Sequence, residues 1–316
     1  MRSTRSLCLL AAALCPALWL AAPAFGASPR DTLVVTPAWL AEHLQDPKLV
    51  LLHVGVREEF AARHIPGARF VDPFDDLSVS EHTATGKMLE MQPSEVLRDR
   101  LAALGISDDS RIVVYFAKDW VSPTTRVMLT LDYAGLGERS AMLDGGMEAW
   151  VKQGHPVTDT VTAPKTGTLA PLSPKPILVD ADFVRAQLGA PGVAVVDGRA
   201  PSFYDGVETG GAHGGTHKTG HIAGARSVPY SEVVDDQNRL RSAEELTALF
   251  TKAGVKPGDT VVGYCHIGQQ ATAMLFAART LGHKVLLYDG SFEDWSRHDA
   301  SYPVEGPTAP PAPAGH

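Results

Sequence analysis

The stretch Val261-Val262-Gly263-Tyr264-Cys265-His266-Ile267-Gly268-Gln269-Gln270-Ala271-Thr272-Ala273-Met274-Leu275-Phe276 decides the fold. A short β-rich run leads into a cysteine, a brief turn containing a glycine follows, and an apolar, helix-forming segment comes next. This is the βα half of a βαβ unit. Around it, β-rich runs at 193–196, 260–264 and 284–288 alternate with helical patterns at 181–188, 243–253 and 271–281, with Gly254 and Gly282 placed as C-caps. Strands alternating with helices predict an α/β fold, a mainly parallel sheet flanked by helices.

The pattern occurs twice. Val35-Thr36-Pro37-Ala38-Trp39-Leu40 resembles Val179-Asp180-Ala181-Asp182-Phe183-Val184, 144 residues on. His64-Ile65-Pro66-Gly67-Ala68-Arg69 recurs as His221-Ile222-Ala223-Gly224-Ala225-Arg226 at a distance of 157, and Tyr115 matches Tyr264 at 149. Leu143-Asp144-Gly145-Gly146-Met147-Glu148-Ala149-Trp150 recurs as Tyr288-Asp289-Gly290-Ser291-Phe292-Glu293-Asp294-Trp295 at 145. The matches keep their order and differ only in loop length, which predicts two copies of one domain, at 31–155 and 176–304. Residues 156–176 contain five prolines and read as a linker, and the Pro- and Ala-rich tail 305–316 reads as disordered.

The whole chain has 316 residues, 44% of them hydrophobic and 20% charged, with a net charge of −8, which excludes a fibrous or wholly disordered protein and a non-specific nucleic-acid binder. Arg2 and Arg5 precede an apolar run from Leu7 to Ala22 and a small-residue site at Ala24-Phe25-Gly26, so residues 1–26 read as a secretory signal. The alternative, an uncleaved anchor, is opposed by Pro16 and Pro23 and by a run that barely reaches the roughly 20 residues a spanning helix needs. Removing those 26 residues, with their two arginines, would leave 290 residues at −10 and would take two of the three cysteines with it. The mature chain is then expected in the periplasm or secreted, with Cys265 as its lone thiol, either a buried small hydrophobe or a reactive group.

Position favours reactivity. In an open parallel sheet, ligands bind at the carboxyl ends of strands, and a helix N-terminus offers unpaired N–H groups and a positive dipole, which favour a thiolate. A strand–Cys–turn–helix serves both phosphotyrosine-type phosphatases and sulfurtransferases. The phosphatase loop needs an arginine six residues after the cysteine to grip phosphate, and that position is Ala271.

With the paired His-Ile-Pro/Ala-Gly-Ala segments and the Asp-Gly-Ser-Phe-x-x-Trp segment after the cysteine, the chain resembles the tandem-domain rhodaneses over essentially its whole mature length. The resemblance implies two rhodanese-like domains, the second catalytic and the first a degenerate scaffold. Phe116 stands where Cys265 stands, and His53-Val54-Gly55 where Asp197-Gly198-Arg199 stands. It implies further that Cys265 takes a sulfur from a donor as a persulfide and passes it to cyanide or a thiol. The N–H groups of His266, Ile267, Gly268, Gln269 and Gln270 would cradle that sulfur. Arg199 would line the pocket, steadied by Asp197; the alternative for these two is a solvated ion pair at a strand end.

The departures bear on the donor. Vertebrate thiosulfate enzymes follow their cysteine with Arg-Lys-Gly and mercaptopyruvate enzymes with Gly-Ser-Gly or a close variant, whereas this chain has His266-Ile267-Gly268. A further arginine of both groups is Phe203 here. His213, His217 and His221 are spaced four apart, but their glycine-rich setting opposes a helix, so a pocket rim is expected and a metal site is not. His64 and His221, being matched in both copies, are expected to be structural, and Trp150 and Trp295 to be core or pocket wall. The expected partners are a small-molecule sulfur donor, thiosulfate before 3-mercaptopyruvate, and a thiol or cyanide acceptor. No cofactor, nucleic acid or membrane is expected after signal cleavage, and the chain should act as a monomer. A persulfide carrier with little turnover and a non-catalytic binding module are the competing functions.

Overall fold

The computed structural model describes residues 28–79, 88–118, 121–210 and 218–306, so the expected signal segment at 1–26, His213, His217 and the tail from 307 lie outside the described residues. In the first copy, β1 (Val34–Val35), β2 (Leu49–Val54), β3 (Arg69–Val71), β4 (Arg111–Phe116) and β5 (Ser140–Leu143) form a wholly parallel sheet in the order β1-β5-β4-β2-β3. In the second, β6 (Leu178–Val179), β7 (Val193–Asp197), β8 (Arg226–Ser227), β9 (Thr260–Tyr264) and β10 (Val285–Tyr288) repeat it as β6-β10-β9-β7-β8. Residues matched by sequence fall at matched places: Val35 and Val179 each end the first strand of their copy, and Tyr115 and Tyr264 face His53 and Asp197 across the ladder.

In the first copy α1 (Val121–Tyr133) follows β4 and α2 (Gly146–Lys152) follows β5. The second copy has α3 (Ala181–Gln187), α4 (Ala243–Lys252), α5 (Ala271–Thr280) after β9 and α6 (Ser291–Arg297) after β10. Local chemistry fixes the ends. Asp180 caps α3 by accepting the Phe183 N–H at 2.8 Å, and Ser242 and Glu245 form a capping box on α4. The helices at 181, 243 and 271 each stop one residue short of the periodicity, because Leu188, Ala253 and Leu281 are caps and a glycine with positive φ follows each.

Alternate residues of each strand serve different cores. Leu51, Val113, Tyr115 and Leu143 pack with Trp150 on one face of the first sheet, and Val195, Val262, Tyr264 and Leu286 pack with Trp295 on the matching face of the second. Their other faces share a single core that runs through both copies. Within it, α1 and α5 pack against each other and are buried almost all round. Thr125 and Thr272 hydroxyls meet at 2.8 Å across that contact, and Asp132 binds Arg279 at 3.1 Å.

The proline-rich connection is not a free linker. Thr158 bridges to His64, the Gly167 N–H donates to the Ala102 carbonyl at 2.8 Å, and the Lys175 N–H donates to that of Tyr133 at 2.8 Å, so the segment is pinned to the first copy. His64 and His221 are structural twins: each Nδ1 bonds a carbonyl, of Phe60 at 2.7 Å and Tyr204 at 2.8 Å, and each ring stacks on that residue's ring. Trp150 and Trp295 are core, each donating Nε1–H to a proline carbonyl.

His53 is buried in the first copy, with Nδ1 2.9 Å from the Tyr115 hydroxyl and Nε2 without a partner among the described residues. Burial first, and the neighbouring His64 second, depress its pKa to about 4. The folded state therefore keeps His53 neutral, and its contribution to stability is complete above the ordinary value of 6.5 and lost as the pH falls from there to about 4. At 1.36 kcal/mol per pH unit the loss is about 3 kcal/mol. Urea unfolding at several pH values should show that His53→Gln lacks this share of acid sensitivity; superimposable profiles for the two proteins would refute it.

Candidate active site

Cys265 stands at the carboxyl end of β9 and is fully buried. Its N–H donates to the Ser291 hydroxyl at 3.2 Å, and its carbonyl accepts from the Phe292 N–H at 2.9 Å. The His266 carbonyl accepts from the Glu293 N–H at 3.1 Å, so the start of the loop is laced to the start of α6. At the other end Thr272 donates both its N–H, at 3.0 Å, and its hydroxyl, at 2.6 Å, to the Gln269 carbonyl. Gly268 turns the chain between them with φ +82°, and a Cβ there would lie 2.8 Å from the Asp289 carbonyl oxygen. Only glycine fits that curvature and that approach.

The carbonyls of Cys265, His266 and Gln269 are thus bonded, whereas the amides from Ile267 to Gln270 are not. Among the described residues no protein acceptor takes the N–H of Ile267, Gly268, Gln269 or Gln270. Four successive unclaimed donors ahead of α5 make a concavity suited to an anion. Cys265 begins that loop.

Arg199 and Asp197 are not the solvated pair that a strand end allows: both are buried, and the guanidinium Nη2 lies 2.6 Å from the Asp197 carboxylate. Nε reaches both carboxylate oxygens at 3.1 Å, and Nη2 also donates to the Gly220 carbonyl at 2.8 Å. The plane stacks on Phe292, 4.0 Å from its ring centre. Burial works against the charge, but the Asp197 carboxylate outweighs it and raises the Arg199 pKa, with Tyr264 and Cys265 adding in the same direction. Nη1 alone has no hydrogen bond among the described residues. Asp197 therefore holds a permanent cation near Cys265 with one nitrogen left for a ligand.

Phe203 meets the His266 ring edge-on at 4.6 Å, an aromatic wall beside the loop. The structure brings together Cys265, Asp197, Arg199 and residues 266–270. His221 sits apart from them, stacked on Tyr204 with Glu305 at 3.5 Å. No group of three or more metal-binding side chains occurs among the described residues.

Two residues at the site were missed by sequence reasoning. Ser291 is buried with φ +54°, the left-handed conformation of its first-copy counterpart Gly146 at +55°. A serine in a glycine's conformation carries strain, and its hydroxyl takes the Cys265 N–H while donating to the Tyr288 carbonyl at 2.9 Å. The aligned Asp-Gly-Gly and Asp-Gly-Ser held that signal. Arg126, from α1 of the first copy, donates to the Gly268 carbonyl at 3.0 Å, and nothing in the sequence marked it.

The Rhodanese-like domain family model matches residues 36–153 and 180–298. A thiosulfate sulfurtransferase of Azotobacter vinelandii is 30% identical over 276 residues, covering 86% of this chain and 97% of that protein. A probable 3-mercaptopyruvate sulfurtransferase of Pseudomonas aeruginosa is 31% identical over 274 residues, covering 83% and 94%. Among solved structures, that of YnjE superposes with a TM-score of 0.76 at 25% identity, covering 89% of this chain and 70% of that one. Both matched segments, each built on the same five-stranded parallel sheet, place this chain in the rhodanese-like family as a tandem-domain member.

Proposed function

We propose that the protein is a sulfurtransferase that carries sulfur on Cys265 in the second domain, with thiosulfate as the favoured donor. The observation that carries this reading is the row of four unclaimed N–H groups that begins two residues after Cys265, with the free Nη1 side of Arg199 nearby. The Cys265 thiolate attacks the outer sulfur of thiosulfate; the sulfur–sulfur bond to the sulfonate group breaks, and sulfite leaves with the bonding electron pair. The persulfide's terminal sulfur is anionic, and the N–H row is suited to hold it. Cyanide then attacks that sulfur, thiocyanate departs and the thiolate is regenerated. The first domain, with Phe116, His53 and Gly55 in place of nucleophile, acid and arginine, supplies no reacting group to this exchange.

Phe203 supports thiosulfate over 3-mercaptopyruvate. A mercaptopyruvate carboxylate needs a further cationic partner, and an aromatic wall of Phe203 and His266 offers no permanent one. The leader at residues 1–26 supports export to the periplasm or beyond, where mature protein sequenced from its N-terminus should begin after Gly26. An intact N-terminus on the exported protein would contradict cleavage there.

Cys265→Ser should abolish thiocyanate formation from thiosulfate and cyanide while leaving the fold intact. An adduct of about 32 Da, one sulfur atom, should appear on the wild-type chain after donor treatment and not on the variant. Turnover retained by Cys265→Ser would sink the mechanism, and a stable adduct without turnover would favour a carrier.

Arg199→Ala should lower kcat/KM by about 1.5–3 kcal/mol, the range for one charge-assisted hydrogen bond. Because the change strands the buried Asp197, the comparison is made per folded molecule. Unchanged kinetics would remove Arg199 from the site, and a kcat/KM for 3-mercaptopyruvate well above that for thiosulfate would reverse the donor.

A further inference from the structure

Arg126 belongs to the first domain and yet is bonded to the sulfur loop of the second. Its Nη1 donates to the Gly268 carbonyl at 3.0 Å and to the Asp289 carboxylate at 2.7 Å, and its Nη2 donates to the Leu89 carbonyl. The side chain is buried, and its Nε has no partner among the described residues. As a device for stability alone this is poor. A buried charge with an unmet donor costs more than an apolar side chain of similar volume would.

The peptide geometry suggests what the charge does. The Gly268–Gln269 unit is planar and trans, so its carbonyl and its N–H point in opposite directions. A carbonyl drawn to Arg126 turns the Gln269 N–H away from Arg126 and into the loop, where it is one of the four unclaimed donors. The rest of Gln269 is tied to the same interface: its Nε2 lies 3.3 Å from the Ser122 hydroxyl of α1, and its carbonyl is taken by Thr272. Asp289 completes the clamp, since it holds Arg126 and also crowds Gly268 so closely that no side chain fits there.

We infer that Arg126 is a positioning residue for sulfur transfer, through which the first domain fixes the direction of the Gln269 N–H in the second domain's sulfur-binding loop. The inference rests on the proposed sulfurtransferase activity. The first domain is then no passive scaffold: it shapes the loop without touching the sulfur.

The test uses Arg126→Met and Arg126→Gln in the full chain, with thermal midpoints, kcat and KM for thiosulfate in the cyanide assay, and a crystal structure of each. The expected result is a fall in kcat of at least tenfold per folded molecule, a KM changed less than threefold, and a Gly268–Gln269 peptide that has turned. A merely structural role would instead lower the thermal midpoint and leave kcat per folded molecule within twofold, which would overturn the inference, as would an unmoved peptide. If Arg126→Met does not fold, Arg126→Gln decides by the same readings. The crystallographic reading needs no sulfur donor: a wild-type protein without turnover would defeat the activity, while the peptide's orientation in the variants would still decide the clamp.

Discussion

The contact between α1 and α5 is the constraint on which the rest of the molecule depends. Each is the helix that follows the central strand of its sheet, and each is buried almost all round because the other copy covers the face that a lone domain would leave to water. Burial on both sides explains their composition. Small and hydroxylated residues such as Thr125, Ala273 and Thr272 allow close approach, and their hydroxyls bond across the contact or to nearby carbonyls. The same contact sets Arg126 and Ser122 beside the loop that precedes α5.

Two copies of one framework differ in the electrostatics at the end of the strand beside the nucleophile's position. In the second copy, Asp197 and Tyr264 flank Arg199 at the end of β7, and the charge of the guanidinium is held by the carboxylate beside it. In the first, His53 takes the place of Asp197 and faces Tyr115 as a neutral pair, with glycine where the arginine would be. Tyr115 and Tyr264 keep the same structural bond, each accepting an N–H, from Ile65 and Ile222, at 3.1 Å. Loss of the arginine and loss of the carboxylate belong together, because either charge alone would be buried without a partner. Phe116 then fills the nucleophile's position, so close to Gly146 that a Cβ there would lie 2.7 Å from its ring.

Much of this was legible in the sequence, and for local reasons. The fold class followed from alternation of strand and helix patterns, and the duplication from four ordered matches that now lie at equivalent ladder positions. Cys265 stood out because a strand end and a helix start are recognisable within a few residues, whereas Arg199, Asp197 and the role of the loop 266–270 were implied only by the family resemblance. Ser291 was legible only by aligning the copies and seeing a serine where the other has a glycine. Arg126 was not legible at all, since 142 residues separate it from Gly268 and its neighbours form an ordinary helix.

The sequence by itself determined what is local or periodic: the strands and helices, the repeat, the turn that needs Gly268, and the absence of nucleophile and arginine from the first copy. Tertiary structure alone decided which groups lie dry and which meet. Along the chain the Asp197–Arg199 pair could be read as pocket lining or as a solvated ion pair, and only the closure of Gly220, Tyr264 and Phe292 over it decides for the buried cation. The proline-rich segment reads as a linker and is pinned because first-copy carbonyls lie along its path. Contacts between residues far apart in the chain carry no sequence signature, because packing of whole elements, rather than the identity of neighbours, brings them together.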